Sequence, residues 1–385
     1  MKKVLVVLLC AAELLLFSGK TGLGQNYREV EQLLVIQTMG LDTMRGGVTL
    51  TLAAAGEAKR GVARMKAEGV SISAAMDRIR GYSFEEELFC PHIGQLLLGE
   101  KAAEQGIEST LAYISRSPDL RLDMPLFVVR GGTAEDAMMN VGSGEKGISD
   151  VMAIVEQDVK RRGESGLTTA AQILRDTASC GSALICALNP GPASETLESA
   201  DEQAEKTGKA GDLSIAPLGY AVLREGRLCR YLTGEQAIAV DLLKNQAGRS
   251  AIQLRDSHNK NAVLEITGGS SSIRPLWEGD VLRGLAVHTE VRAGVLELGG
   301  PGALKGTTDA DYLTAQLEAR LSQYLRDTLQ ASKDLKADFL CLAEQVERQD
   351  PGAFRALGRD FADLLPELEL EITVSARLTQ MSDTL

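Results

Sequence analysis

The tract Asn189–Asp212 (NPGPASETLESADEQAEKTGKAGD) constrains this chain more than any other stretch, because it collects Pro, Gly, Ser and Glu and loses hydrophobicity. Such a composition reads as a linker. A chain of 385 residues also exceeds what one ordinary core holds together. The expected organisation is a segment 25–188, the linker 189–212 and a segment 213–385, the last with 213–298 and 299–385 as candidate subdomains.

Upstream of the tract, strand and helix signals alternate. Val30–Leu41 and Val48–Ala55 read as strands joined across Asp42–Gly47, and Glu57–Gly69 as a loop. Ser71 or Ser73 caps a helix through Arg80, with Ile72, Ala75, Met76 and Ile79 on one face. His92–Leu98 and Pro125–Val129 are apolar strands. Glu100–Gln105 opens a helix stopped by Gly106, Ile107–Ser115 continues as a second, and Thr133 caps a third. Helices at Ile148–Arg162 and Thr168–Ala178 and a strand at Ala183–Leu188 complete a sheet covered by helices.

Downstream, Ala216–Arg224, the Glu225-Gly226 turn and Arg227–Leu232 form the strongest hairpin signal and open a second set of elements. A helix through Leu243, strands at Ala251–Leu254, Ala262–Thr267 and Val281–Leu298, and a turn cluster at Gly268–Ser272 follow. Leu313, Leu317, Leu321, Tyr324 or Leu325, and Leu329 give the helix Asp309–Lys333 one apolar stripe. Helices around Ala337–Arg348 and Ala353–Leu364 precede a half-buried strand, Glu367–Leu378. The fold class is α+β (mixed α/β), multi-domain, with helices packed on mixed or antiparallel sheets.

Met1-Lys2-Lys3 followed by the apolar run Val4–Phe17 marks residues 1–24 as a signal peptide or signal anchor. Such a run spans about 21 Å as helix, short of a ~30 Å hydrocarbon core, which favours an exported chain over a permanent span. Net charge is -12, and the basic runs are short, so nucleic acid is not the expected partner. Lys160-Arg161-Arg162 reads as a solvated helix face. Of the six cysteines, Cys10 lies in the targeting segment, while Cys90, Cys180, Cys186, Cys229 and Cys341 sit in apolar contexts. No CxxC occurs, so free thiols are expected rather than a zinc or redox pair.

No catalytic constellation emerges. His92, His258 and His288 lie in separate regions without carboxylates at ligand spacing. GxSxG is absent, and Gly142-Ser143-Gly144 reads as a connector. Glu85-Glu86-Glu87 places neighbouring side chains in different directions, unsuited to paired acid–base work. Gly299-Gly300-Pro301-Gly302 lacks the helix start a phosphate cradle needs, and Trp277 reads as core. The sequence thus indicates no enzyme, with catalytic, cofactor-binding and metal residues all none.

At Tyr27–Asp42 the run Arg28, Glu29, Val30, Glu31 and Leu33, then Gly40, Leu41 and Asp42, resembles the start of the mature Ger(x)C family, the C subunits of bacterial spore germinant receptors. The stretch ELFCPHIGQLLLGEKAAEQGI continues the resemblance through His92, Leu97, Leu98, Gly99, Glu100, Ala103, Gly106 and Ile107. Arg116, Asp119, Arg121, the PLFVVRGGTAEDAM run, Ala337-Asp338-Phe339 and Pro351–Phe354 extend it over nearly the whole mature chain. One departure stands out: Gln25 follows Gly24 where the family's lipidated cysteine is expected, so no lipidation residue is evident.

The resemblance implies a multi-domain, non-catalytic receptor subunit without a cofactor, at the outer face of the spore inner membrane. Its implied partners are a multipass A-type and a transporter-like B-type membrane subunit. The competing class is a free extracytoplasmic solute-binding protein with a hinged cleft at the linker. A hydrolase is the third option, and no constellation supports it.

Overall fold

The structure, a computed structural model, describes residues 33–54, 64–82, 87–141, 147–192, 213–298 and 307–379. The targeting segment 1–24, Gln25, Arg28–Glu31, Gly142-Ser143-Gly144, Glu85 and Glu86, Gly299–Gly302 and most of the 189–212 tract lie outside the described residues.

In chain order the first half runs β1 (Leu33–Met44), β2 (Gly47–Ala54), β3 (Arg64–Gly69), α1 (Ile72–Tyr82), β4 (Glu87–Phe89), β5 (Gln95–Gly99), α2 (Glu100–Gln105), α3 (Glu108–Arg116), β6 (Pro125–Val129), α4 (Ala134–Asn140), α5 (Ile148–Arg161), β7 (Thr168–Thr169), α6 (Ala170–Cys180) and β8 (Ser182–Pro192). The second half adds β9 (Leu213–Arg224), β10 (Arg227–Thr233), α7 (Glu235–Leu243), β11 (Ser250–Arg255), β12 (Asn261–Glu278), β13 (Val281–Leu298), α8 (Thr307–Leu335), α9 (Leu342–Gln349), α10 (Pro351–Ala356), α11 (Phe361–Leu364) and β14 (Glu369–Thr379). The α+β class is as expected, with both sheets mixed.

The large sheet has the order β10-β9-β8-β6-β5-β1-β2-β3, with β4 beside β1 and β7 beside β6. Its centre, β1, β5, β6 and β8, is parallel. Parallel strands are covered on both faces and read as continuous apolar runs, and Leu96, Leu97 and Leu98 in β5 and Leu126, Phe127 and Val128 in β6 are all fully buried. One face packs on α1, α3 and α6, the other on α4 and α5. Ser71 caps α1 by accepting from the Ala74 N–H, and Ile72, Ala75, Met76 and Ile79 are buried as their spacing predicts.

Three sequence expectations are corrected here. Residues 64–69 form a strand rather than a loop: β3 lies at the sheet edge on β2, with Ala67 and Gly69 inward and Lys66 and Glu68 outward. His92 is an exposed turn residue before β5 rather than a strand residue. The hairpin β9–β10 extends the first sheet instead of opening a second set, because β9 pairs antiparallel with β8 along Ser182–Pro192. The polar tract therefore joins two adjacent strands of one sheet. The hairpin turn itself is as read: Glu225 and Gly226 both have positive φ, 50° and 71°, the geometry that matches strand twist.

The second sheet, β11-β12-β13-β14, is antiparallel except for its last pair. Gly268–Ser272 lies within β12 rather than in a turn, and the helix expected over Ala353–Leu364 is broken into α10 and α11 around Gly358, whose φ is +62°. The stripe of α8 is buried, Leu317, Leu321, Tyr324, Leu325 and Leu329 in one core cluster with this sheet and Leu313 at the helix's first turns. The helix α7 is buried on every side from Ala237 to Leu243, as befits a helix with no polar face. It lies against β10, β12 and α8. Leu184, Tyr220, Val222 and Leu232 of the first sheet share its cluster, so the two sheets meet in one continuous core. Leu321→Ala is expected to destabilise the chain by about 3 kcal/mol, measured as a shift in the urea midpoint at unchanged m-value.

Candidate functional site at the carboxyl ends of the parallel strands

In open sheets with parallel strands, ligands bind outside the carboxyl ends of the strands, next to helix N-termini. Here β1 ends near Asp42, β5 at Gly99 and β6 at Val129, so Asp42, Gly99, Glu100 and the loop 130–133 meet at one edge. Most of these residues come from the runs singled out in the sequence.

The Asp42 carboxylate sits at the N-terminus of α4. Its Oδ1 accepts from the Ala134 N–H and its Oδ2 from the Glu135 N–H, both at 2.8 Å. Thr133 Oγ1 accepts from the Asp136 N–H at 2.9 Å, adding a local cap. Burial raises the Asp42 pKa, against the opposing pull of the two backbone donors. The position where a phosphate would rest on this helix is filled by the chain's own carboxylate. That makes the edge a structural joint between β1 and α4 rather than a nucleotide cradle.

The neighbouring residues build the same joint. A methyl group on Gly99 would collide with Asp42 Oδ1, and one on Gly40 with the Met138 thioether of α4. Glu100 donates its N–H to the Gly132 carbonyl, and its carboxylate accepts from the Tyr231 hydroxyl of β10 at 2.7 Å. The Arg130 guanidinium stands 5.1 Å from the centre of the Tyr231 ring. Burial, and then the Glu100 carboxylate, push the Tyr231 hydroxyl far above its usual pKa. Gly106, at φ +118°, turns α2 toward Ile107, whose N–H reaches the Gly226 carbonyl in the hairpin turn. The run from Gly99 to Ile107 thus ties β5 to the hairpin after the polar tract. Tyr231→Phe removes the bond to Glu100 and is expected to cost about 1.5 kcal/mol, readable by thermal melting at neutral pH.

Other residues weighed in the sequence stay apart. His92 is exposed with its ring 5.4 Å from Phe89, His258 contacts Ser257 in an exposed turn, and His288 lies 3.6 Å from Glu290 on an exposed face. Trp277 is half-buried and packs against the core around α8. Arg121 pairs with the neighbouring Asp123, and Asp119 with Arg80 of α1. Cys229 is exposed rather than core, whereas Cys90, Cys180, Cys186 and Cys341 are buried. What sequence reading missed is that Cys180 and Cys341 meet: their Sγ atoms and a Glu344 carboxylate oxygen lie within 4.8 Å of one another. Nothing in their spacing signals it.

An open groove of about 740 Å³ runs between α1 and α3, lined by Ile72, Met76, Arg80, Tyr113, Arg116 and Asp119. A smaller one of about 500 Å³ crosses β12, β13 and β14 at Gly269, Glu290, Arg292 and Arg377. Among the described residues no helix is long and apolar enough to cross a membrane.

A mixed sheet whose strand-end joint is closed by its own carboxylate, continuous with a second helix-covered sheet, defines a two-sheet α+β class. Two family profiles match it: one described as "Spore germination protein N-terminal domain" over residues 26–189, the other as "Spore germination B3/ GerAC like, C-terminal" over residues 218–382. The chain belongs to the Ger(x)C family of spore germination proteins. The fold is similar to that of a solved structure, "Crystal Structure of the GerBC protein", with a TM-score of 0.56 and 14% identity, covering 88% of this chain and 96% of that one. No curated protein sequence matches the chain significantly.

Proposed function

We propose that this chain is the non-catalytic C subunit of a spore germinant receptor. In this reading it is exported to the outer face of the spore inner membrane and assembles with A-type and B-type membrane subunits. The single observation that carries the reading is the pair of family matches, one on each side of the polar tract. The site supports it. Asp42, Gly99 and Glu100 spend their hydrogen-bonding and steric capacity on joining β1, α4 and β10, which leaves contact surfaces rather than a reaction centre as the means of action. Membrane retention without a cysteine at Gln25 falls to an uncleaved signal anchor or to the membrane subunits themselves. The catalytic, cofactor and metal sets stay empty in this proposal.

Deletion of the gene in a strain with no redundant receptor is expected to abolish the germination response to the receptor's nutrient. Complementation should restore it, and complementation with Asp42→Ala should fail. Normal nutrient response in the deletion strain would overturn the reading. The solute-binding alternative expects a hinged cleft at the polar tract, which instead joins the adjacent strands β8 and β9; what remains for it is the α1–α3 groove, lined by Arg116, Tyr113, Ile72 and Met76. Titration calorimetry of the purified chain against amino acids, sugars and nucleosides is expected to show no saturable heat, and Arg116-dependent heat would favour that alternative.

A further inference from the structure

Cys180 ends α6, on the first sheet, and Cys341 immediately precedes α9, on the second. The two stand on opposite sides of the polar tract, yet both are buried and their Sγ atoms face each other across the junction between the halves. We propose that Cys180 and Cys341 are a redox-sensitive pair whose oxidation forms a disulfide that locks the two halves of the chain together.

Several features set this pair apart from the other thiols. Cys341 adopts φ +52°, the left-handed region that non-glycine residues seldom occupy. It is held there by Asp338, whose two carboxylate oxygens accept from the Leu342 and Ala343 N–H groups at 2.8 Å. Backbone strain held by a buried cap fixes the thiol at the junction. On the other side, Ser179 Oγ lies 3.2 Å from Cys180 Sγ. The Cys341 thiol, hydrogen-bonded to Cys180, lowers the Cys180 pKa against the opposing pull of burial, while Cys341 itself is pushed up by the same bond and by burial. By contrast, Cys186 is wholly buried and pushed up to about 12 by desolvation.

The chemistry needs a disulfide oxidant, such as an oxidised low-molecular-weight thiol. The Cys180 thiolate attacks one sulfur of the oxidant, forming a mixed disulfide and expelling one thiolate. Cys341, deprotonated, then attacks Cys180 Sγ and expels the second. Two protein thiols lose two electrons and two protons, and the oxidant leaves as two thiols. Burial slows the first attack, so access depends on opening of the junction between the halves.

A metal is the other chemistry such a cluster invites, and the third group argues against it. Glu344 is already paired with Arg348 at 3.1 Å on its own helix. Asp176, beside the pair, is bound by Arg175 at 3.0 Å and approached by Lys244 at 3.9 Å. That leaves two sulfurs, short of the three or four ligands that zinc takes.

The inference rests on the exported reading only for its oxidant in the cell, and its test does not. The full chain carrying Cys10→Ser and Cys229→Ser is equilibrated in glutathione buffers from fully reduced to fully oxidised, then alkylated, digested and mapped. The expected result is a Cys180–Cys341 linked peptide that appears with oxidation and vanishes with reductant. The apparent melting temperature should rise by at least about 3 °C as the bridge forms. The same chain with Cys341→Ser should lose the redox response of its melting temperature. Should that variant fail to fold, the peptide map of its parent decides alone. Both cysteines fully alkylated in the oxidised buffer, or a stoichiometric zinc ion protecting them until a chelator is added, would overturn the proposal.

Discussion

Gly99→Ala is expected to destabilise the chain by roughly 3 kcal/mol or more, an effect large for a single methyl group on a backbone any residue can adopt. Gly99 has φ -65° and ψ 152°, so alanine meets no backbone penalty there. The penalty is steric: the new methyl would occupy the position of Asp42 Oδ1 and lie 3.3 Å from the Ala134 nitrogen that this oxygen serves. Asp42 must then withdraw, leaving the Ala134 and Glu135 N–H groups unpaired at a buried edge. An unsatisfied buried donor costs about 1–3 kcal/mol. A double-mutant cycle isolates this cause. Asp42→Ala alone removes the cap, and in that background Gly99→Ala should cost less than half of what it costs alone. Additive costs from urea unfolding would show that the methyl acts on something other than Asp42.

The run around Gly99 shows how far sequence reading reached. The Gly40–Asp42 and Gly99–Ile107 runs could be recognised as a family signature, but the bond from Asp42 to a helix start at Ala134 could not be read, because it joins residues far apart in the chain. Local patterns fared best. Pro125–Val129 and Val281–Leu298 are strands with the bounds their apolar runs predicted, and the α8 stripe is buried as spaced. Small residues misled most. Gly268–Ser272 carries the composition of a turn, yet it is strand, because a side chain on Gly269 would meet Leu242 of α7. Glycine there records close approach of a helix rather than a change of direction. The strand β3 was missed because Arg64, Lys66 and Glu68 make an edge strand look like polar loop. Sheet order, the return of β9 to β8 across the polar tract, and the meeting of Cys180 with Cys341 are long-range facts. No local pattern encodes them.

Stability is expected to fall as pH rises from about 4.5 to about 7.5, with Asp241 as the main source. This residue lies in the last turn of α7, 1% exposed, where the negative end of the helix dipole disfavours a carboxylate. Desolvation is the largest cause that brings its pKa up to about 7, offset in part by the Tyr220 hydroxyl donating to Oδ1. Oδ2 has no hydrogen-bond partner among the described residues. In the unfolded chain the same group titrates near 3.9. Between the two values the folded form keeps a proton that the unfolded form has released, so the unfolded state binds fewer protons and stability declines with pH. The contribution is fully present below the unfolded value and lost as pH passes the folded one, amounting to at most roughly 4 kcal/mol. Asp338 is also buried and raised, to about 6, but it accepts two N–H bonds at the start of α9, where the dipole favours its charge. Its share of the slope should be the smaller. Asp241→Asn keeps an acceptor for Tyr220 and removes this titration, so its urea midpoint should fall less steeply than the parent's over this range, with only the Asp338 and Asp42 shares left, and exceed the parent's at pH 7.5. A parent midpoint that rises with pH over the same interval, or an Asp241→Asn profile as steep as the parent's, would overturn this assignment to Asp241.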